Sequence, residues 1–540
     1  MNARLVVSLL GALGAGCASG RGAPPALDFA ASRPAGILEG AWVGGTNVLG
    51  AYTLVEAAFA RAGGGLSGEL RVPSENVSRL PVTSADVTGA AVRFAFRSPF
   101  GSHDAVGRWD GGMIFGRIEG GGLSGEFHLL PVRPPDPVVS RSRAGSYGAR
   151  TGHHLLVTPR ADGNLAWAES EPLADGAVWI AGGALYGYAV DTVFSDRSIR
   201  AEPRVHEWAV FRTREIEWHP ETSPARVTRR LEREVVQEAV TFSNGAVTLA
   251  GTLLLPAGAG PHPGAVLVHG SGPAERAGQL SLLRAELLLR RGIAVLLYDK
   301  RGVGASSGDW EQAGIDELAG DAAAAVTLLR AHAAIERGAV GLVGHSQAGW
   351  VMPAAATRAS GADFLVVLSG GGVSPREQEI FRARAEAADA GWSDDAASLM
   401  ESKWQYAATR ADADWNAYVA RVRAAEPALI ALVEAPLDRD PARWALVRAL
   451  ARYDPLPDLG ALRVPTLVVF GSDDDNVPVA RAAAVWRDAL PASLLTIETV
   501  PGVGHALIGL REGRGSIFPA PFVRALGAWL DTRPWAAVRP

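Results

Sequence analysis

At 540 residues the chain is longer than one compact core usually organises, so about two to four domains are expected. Hydrophobic residues at 48% and charged residues at 20% exclude a wholly disordered chain, and a formal net charge of -5 offers no basic face for a nucleic acid. The cations are nearly all arginine, with Lys300 and Lys403 the only lysines, so arginine pairs read as composition bias on solvated faces.

The first residues carry an export pattern. Arg4 precedes an apolar run, Leu5 to Leu13, and then Gly14-Ala15-Gly16-Cys17. A positive start, an apolar stretch too short to span a bilayer and small residues together predict a secretory leader over residues 1–17. Cys17 is the only cysteine, which rules out an internal disulfide. Its place after three small residues resembles the lipobox of bacterial lipoproteins, whose cysteine carries the lipid. The match departs in one respect, since Leu13 stands four places before the cysteine instead of three. Lipidation of Cys17 and plain cleavage near Ala18 are the two routes, and both imply export. The expected location is the periplasm, or the outer membrane and cell envelope if the lipid is added. That anchor is the only membrane association expected, because no later stretch offers the ~20 continuous apolar residues of a span.

Residues 18–36, rich in Gly, Ala and Pro, read as a tether. Residues 37–135 show short apolar runs cut by glycine, and Gly63-Gly64-Gly65-Leu66-Ser67-Gly68-Glu69-Leu70 returns as Gly120-Gly121-Gly122-Leu123-Ser124-Gly125-Glu126-Phe127. Glycine supplies the positive φ of tight turns, and alternating pieces such as Val92-Arg93-Phe94-Ala95-Phe96 suit half-buried strands. The prediction is a small antiparallel β domain with a repeated hairpin. After the Pro-rich run Pro131–Pro137, residues 136–233 form a second β-rich segment, with Leu155–Val157 and Trp208–Phe211 as its clearest strands. His153 and His154 are neighbours and would point to opposite faces of a strand, which disfavours a shared metal site.

The texture changes near Val235, opening a domain expected over 234–532. Gly251–Leu255 is a strand ending in a turn. Apolar runs at Ala265–Val268, Ala294–Tyr298, Val340–Val343, Phe364–Leu368, Thr466–Phe470 and Leu494–Ile497 alternate with Ala/Leu/Arg helices. Continuous apolar strands between amphipathic helices indicate a mostly parallel sheet covered on both faces, an α/β architecture. The alternation breaks at about 374–462, a helix-rich stretch bearing Trp392, Trp404, Trp415 and Trp444. Such an insertion at a strand's carboxyl end would act as a lid.

The run Val340-Gly341-Leu342-Val343-Gly344-His345-Ser346-Gln347-Ala348-Gly349 puts a serine at a strand-to-helix turn. A serine hydroxyl attacks poorly unless a base takes its proton and a sharp turn holds it clear of the fold. That turn needs small residues two places either side, and Gly344 and Ala348 supply them. An acid and then a histidine should follow in chain order. Gly471-Ser472-Asp473-Asp474-Asp475-Asn476-Val477-Pro478 offers three aspartates. Asp474 is preferred because it stands three residues after Gly471 and three before Val477, with Asp473 and Asp475 facing water or shaping the turn. His505, in the glycine-rich run Pro501–Ala506, is the candidate base, able to reach Ser346 with one ring nitrogen while the acid holds the other. Two backbone N–H groups would stabilise an oxyanion: that of Gln347, at the start of the helix, and that of Ser271, in His269-Gly270-Ser271-Gly272-Pro273. His269 reads as a brace for that loop.

The runs Val268–Pro273, Tyr298-Asp299-Lys300-Arg301-Gly302-Val303-Gly304-Ala305-Ser306 and Gly344–Trp350 together resemble bacterial α/β-hydrolase esterases related to the serine aminopeptidase and dienelactone hydrolase groups. The resemblance covers about residues 235–531. It implies an α/β-hydrolase sheet with a helical lid, hydrolysis of short to medium acyl esters through an acyl-enzyme, and no cofactor or metal. It also implies that Asp299 and Arg301 brace a loop without reacting. The partner expected is a small-molecule ester. Two other readings stay open: a peptidase acting on short peptides or amides, and an inactive envelope-binding protein. Dehalogenase and epoxide hydrolase readings are disfavoured, since both place an aspartate at the elbow.

Overall fold

The computed structural model describes residues 37–535 apart from short internal stretches, of which 197–206 is the longest. The expected leader, the tether and Cys17 lie outside the described residues. They divide into two compact units: one runs to Thr151 and adds Leu155–Trp167 and Gly183–Glu232, the other takes Gly152–His154, Ala168–Gly182 and the chain from Arg233 onward.

In the first unit, alternating side chains make strands that are buried on one face only, as in Ile114–Gly120. Eight such strands, from Gly40–Val48 to Leu123–Val132, pair in chain order, and the last returns to the first, which closes a barrel. The glycine repeat marks two of its hairpins, joining Ala51–Ala62 to Gly65–Val72 and Ile114–Gly120 to Leu123–Val132. The barrel is filled by side chains: Phe94 meets Phe59 at 5.4 Å and Phe127 at 5.6 Å, both edge-on, with Trp42 buried beside them. Further antiparallel strands include His154–Pro159 and Trp208–Phe211. Val43 and Val132 of the barrel share an apolar cluster with Ala184, Tyr186 and Phe194.

The second unit is built on eight strands: β1 (Val236–Asn244), β2 (Val247–Leu255), β3 (His262–Val268), β4 (Ala294–Tyr298), β5 (Ile335–His345), β6 (Leu365–Leu368), β7 (Thr466–Gly471) and β8 (Leu495–Val500). Their order across the sheet is β1-β2-β4-β3-β5-β6-β7-β8. The first two strands are antiparallel to their neighbours, and every pairing from β4 to β8 is parallel. The central strands are buried along their whole length, which is why they read as unbroken apolar runs. Helices α1 (Gln279–Leu289), α2 (Ile315–Ala331) and α3 (Ala348–Ala356) supply the crossovers. This is a mixed, mostly parallel α/β-hydrolase sheet.

Between β6 and β7 the chain leaves the sheet for helices running from Pro375–Glu386 to Leu456–Ala461. Ser374 caps the first, accepting from Glu377 N at 3.2 Å, and Pro375 occupies the first turn, where its missing N–H costs nothing. These helices have their own core: Trp444 meets Tyr406 at 4.8 Å and Tyr418 at 5.5 Å, and the Arg439 guanidinium lies over Trp415 at 4.9 Å. Earlier chain also joins this unit. Val178 and Trp179 pair with Phe518 and Ile517, and the buried Glu286 carboxylate of α1 accepts from His154 Nδ1 at 2.6 Å and Ser170 Oγ at 3.2 Å. His153 turns instead to Glu169, at 2.5 Å, so the two adjacent histidines serve different carboxylates.

Candidate active site

The centre of the sheet sets the first element of the site. β5 runs between β3 and β6 and ends at His345, and Ser346 takes φ +58, a left-handed conformation that a side chain adopts only under constraint. Its N–H donates to Leu368 O at 2.9 Å, and its carbonyl accepts from Gly349 N at 2.8 Å. Space explains the small neighbours. A methyl on Gly344 would come within 2.4 Å of Ala348 Cβ, one on Gly349 within 2.3 Å of Gly371 N, and one on Gly370 within 2.1 Å of Ser346 O. Two more non-glycine residues of positive φ stand in loops that follow strands of the same sheet, Ser369 after β6 and Leu507 after β8, the latter lying two residues beyond His505. The helix that leaves it, α3, is buried along nearly its whole length, with Trp350 Nε1 donating to Val373 O at 2.8 Å.

The loops after β7 and β8 bring Asp474 and His505 together. His505 Nδ1 lies 3.1 Å from Asp474 Oδ1 and 3.0 Å from Oδ2. Asp474 Oδ1 also accepts from the N–H groups of Asn476 and Val477, each at 2.9 Å, so the carboxylate cannot rotate freely. Asp474 is buried, whereas Asp473 and Asp475 are exposed; they accept from Ser472 Oγ and Asn476 Nδ2 respectively. The two loops are tied by Asp473 N to Val503 O at 3.0 Å.

His505 also meets the elbow through its main chain. His345, next to Ser346, donates from Nε2 to His505 O at 2.8 Å, and the two rings lie 4.5 Å apart. Burial, the charge of Arg284 and His505 itself hold the His345 imidazole well below the usual histidine range, so it is neutral and its one N–H serves that carbonyl. Arg284, from α1, reaches Ala506 O at 3.5 Å. Ser346 and His505 are half-buried, and among the described residues their side chains share no hydrogen bond.

The loop after β3 passes beside the elbow: a methyl on Gly270 would lie 3.6 Å from Ser346 Cβ. Among the described residues neither Ser271 N nor Gln347 N has a protein acceptor. His269 donates from Nε2 to Tyr298 O at 2.6 Å and packs edge-on to the Tyr298 ring, which makes it a brace for the loop. Burial, reinforced by the Lys300 charge, takes its pKa down to about 4. Lys300 itself is 3% exposed, and its ammonium donates to Gly270 O at 2.9 Å, Gly272 O at 3.0 Å and Gln347 Oε1 at 3.0 Å. The adjacent charges are occupied elsewhere. Asp299 accepts from Arg276 Nη2 at 2.6 Å and Ala305 N at 2.9 Å, and Arg301 clasps Asp321 at 2.6 and 2.7 Å. Lys300, His345 and Arg284 escaped the sequence reading. A usable signal existed for the first alone, as one of two lysines in a chain that otherwise uses arginine.

Among the described residues no group of three or more His, Cys, Asp or Glu side chains is arranged to hold a metal, and no helix is long and apolar enough to cross a membrane. Residues 265–513, just under half the chain, match the model of the alpha/beta hydrolase family. No curated protein matches the sequence. Solved structures that align include a Pyrococcus furiosus esterase, 15% identical, covering 55% of this chain and 91% of that one with a TM-score of 0.39. A 2,6-dihydroxy-pseudo-oxynicotine hydrolase is 18% identical over 57% and 70% of the two chains, with a TM-score of 0.36. An esterase from Thermogutta terrifontis is 20% identical over 56% and 98%, with a TM-score of 0.33. Scores this low leave the fold to be read from the strand order itself. That order, the elbow after β5 and the family match agree: residues 265–513 lie within an α/β-hydrolase domain.

Proposed function

We propose that the protein is a serine carboxylic ester hydrolase working through an acyl-enzyme. Ser346 attacks the ester carbonyl, His505 takes its proton and later returns it to the leaving alcohol, and Asp474 orients the imidazole and stabilises its charged form. The N–H groups of Gln347 and Ser271 receive the oxyanion, each worth about 3 kcal/mol in a closed site. Water activated by the same histidine then releases the acid. The observation that best supports this reading is the Asp474–His505 pair, held by two backbone N–H groups beside a strained serine elbow. The Ser346–His505 hydrogen bond is expected to form in the substrate complex, since such bonds commonly tighten on binding.

Hydrolysis of p-nitrophenyl acetate or butyrate, abolished in Ser346→Ala, tests the assignment; full activity in that variant would overturn it. Comparing these esters with aminoacyl amides separates an esterase from a peptidase, and labelling by a fluorophosphonate separates either from an inactive binding protein. Export with a lipid on Cys17 is part of the same proposal, and a palmitate analogue should label the native chain but not Cys17→Ser.

A further inference from the structure

An ammonium group carries three N–H donors and no acceptor. Lys300 has three oxygens around it, at 2.9, 3.0 and 3.0 Å, and they come from the two segments that bear the candidate oxyanion donors. The Gly270 and Gly272 carbonyls flank Ser271, while the third oxygen is the side chain of Gln347, whose own N–H is the other donor. We propose that Lys300 is a positioning residue: it spends all three protons fixing the Ser271 turn against Gln347, so that both oxyanion N–H groups are aimed before substrate arrives. The inference rests on the proposed esterase reading, which supplies the oxyanion.

The chemistry of the surroundings favours lysine over arginine. The acceptors converge on one point, which suits a compact ammonium and not a planar guanidinium fork. In a sequence with only Lys300 and Lys403, a lysine is therefore kept where an arginine would misdirect its donors.

The same arrangement is sensitive to alkali. A neutral amine has two N–H groups and a lone pair, so one of the three oxygens loses its donor and faces the lone pair instead. The groups around Lys300 do little to hold its proton. His269, at the end of β3, is neutral; Gln347, beside α3, is neutral; the Trp310 ring lies 5.7 Å away. Asp299 and Arg301, on the lysine's own loop, are paired with Arg276 and Asp321, and Asp321 on α2 is the acid that favours the charge. Burial outweighs it and brings the Lys300 pKa down to about 7. Activity should therefore fall on the alkaline side as Lys300 loses its proton.

The test has two arms. In Lys403→Arg, Lys300 is the sole lysine, and its labelled side-chain nitrogen should titrate near pH 7 by NMR, a measurement that needs no turnover. Lys300→Met and Lys300→Arg should lower kcat about 10- to 100-fold with KM within about 3-fold, and both should lose the alkaline fall. Wild-type kcat in Lys300→Met would overturn the proposal. Should Lys300→Met fail to fold, Lys300→Arg decides by the same kcat criterion. Failure of the esterase reading shows separately, as hydrolysis that survives Ser346→Ala.

Discussion

Asp474→Asn separates catalysis from folding at one atom. In the native carboxylate, Oδ1 accepts from Asn476 N and Val477 N at 2.9 Å each, and Oδ2 lies 3.0 Å from His505 Nδ1. An asparagine can satisfy both backbone donors only by placing its amide oxygen at the Oδ1 position. Its NH₂ then occupies the Oδ2 position and donates to Nδ1, which forces the ring proton onto Nε2. A base that already carries its proton on Nε2 cannot take one from Ser346. The expected loss is about 10⁴-fold in kcat, or about 5.5 kcal/mol of transition-state stabilisation. Because every hydrogen-bond site keeps a partner, the unfolding free energy should move by less than about 1 kcal/mol. Steady-state hydrolysis of p-nitrophenyl butyrate and a urea melt measure the two quantities. Asp473→Asn and Asp475→Asn, changed at exposed carboxylates, should stay within about 2-fold of wild type. Asp474→Asn with activity within 10-fold of wild type, or an equal loss at either neighbour, would refute the reasoning.

Two further perturbations follow from the same geometry. Gly370→Ala would press a methyl to 2.1 Å from Ser346 O, so it should cost about 1–3 kcal/mol of stability and displace the elbow, read as a lower melting temperature with reduced kcat. His269 tests acid stability. Its folded pKa, lowered to about 4 by burial and Lys300, lies below the unfolded value of 6.5, so the unfolded chain gains a proton that the folded one refuses. Stability should fall as pH drops from about 6.5 to about 4, by on the order of 3 kcal/mol from this group. His269→Gln should flatten that slope in melts followed across the range.

The sheet was legible because strands buried on both faces leave continuous apolar runs, as at Ala294–Tyr298 and Thr466–Phe470. β5 shows the limit. Only Val340–Val343 stood out, yet the strand begins at Ile335, where Glu336 and Arg337 break the apolar signal. Asp474 could be chosen by spacing, but what distinguishes it physically is burial and two backbone donors. His345, Arg284 and Lys300 were hidden for a different reason. Their partners at 505, 506, 270, 272 and 347 are set by long-range packing, and no local pattern encodes it. The same holds for Ala168–Gly182, whose strand-like texture gives no hint that it joins the second unit.

Glu286 shows what that interleaving means for anyone trimming the chain. Its carboxylate is fully buried in α1, and the groups that answer it, His154 and Ser170, precede the texture change near Val235 by dozens of residues; Arg290 Nε in turn grips Ser170 Oγ at 3.1 Å. A fragment begun at residue 234 would keep the whole eight-stranded sheet and still strand an anion in the interior. Such an orphaned carboxylate must draw in water to replace its lost donors, which loosens the helix that carries Arg284 toward the His505 loop. Limited proteolysis in the segment before 234 should for that reason leave the two pieces associated, with the hydrolase sheet depending on chain that lies outside its own boundaries.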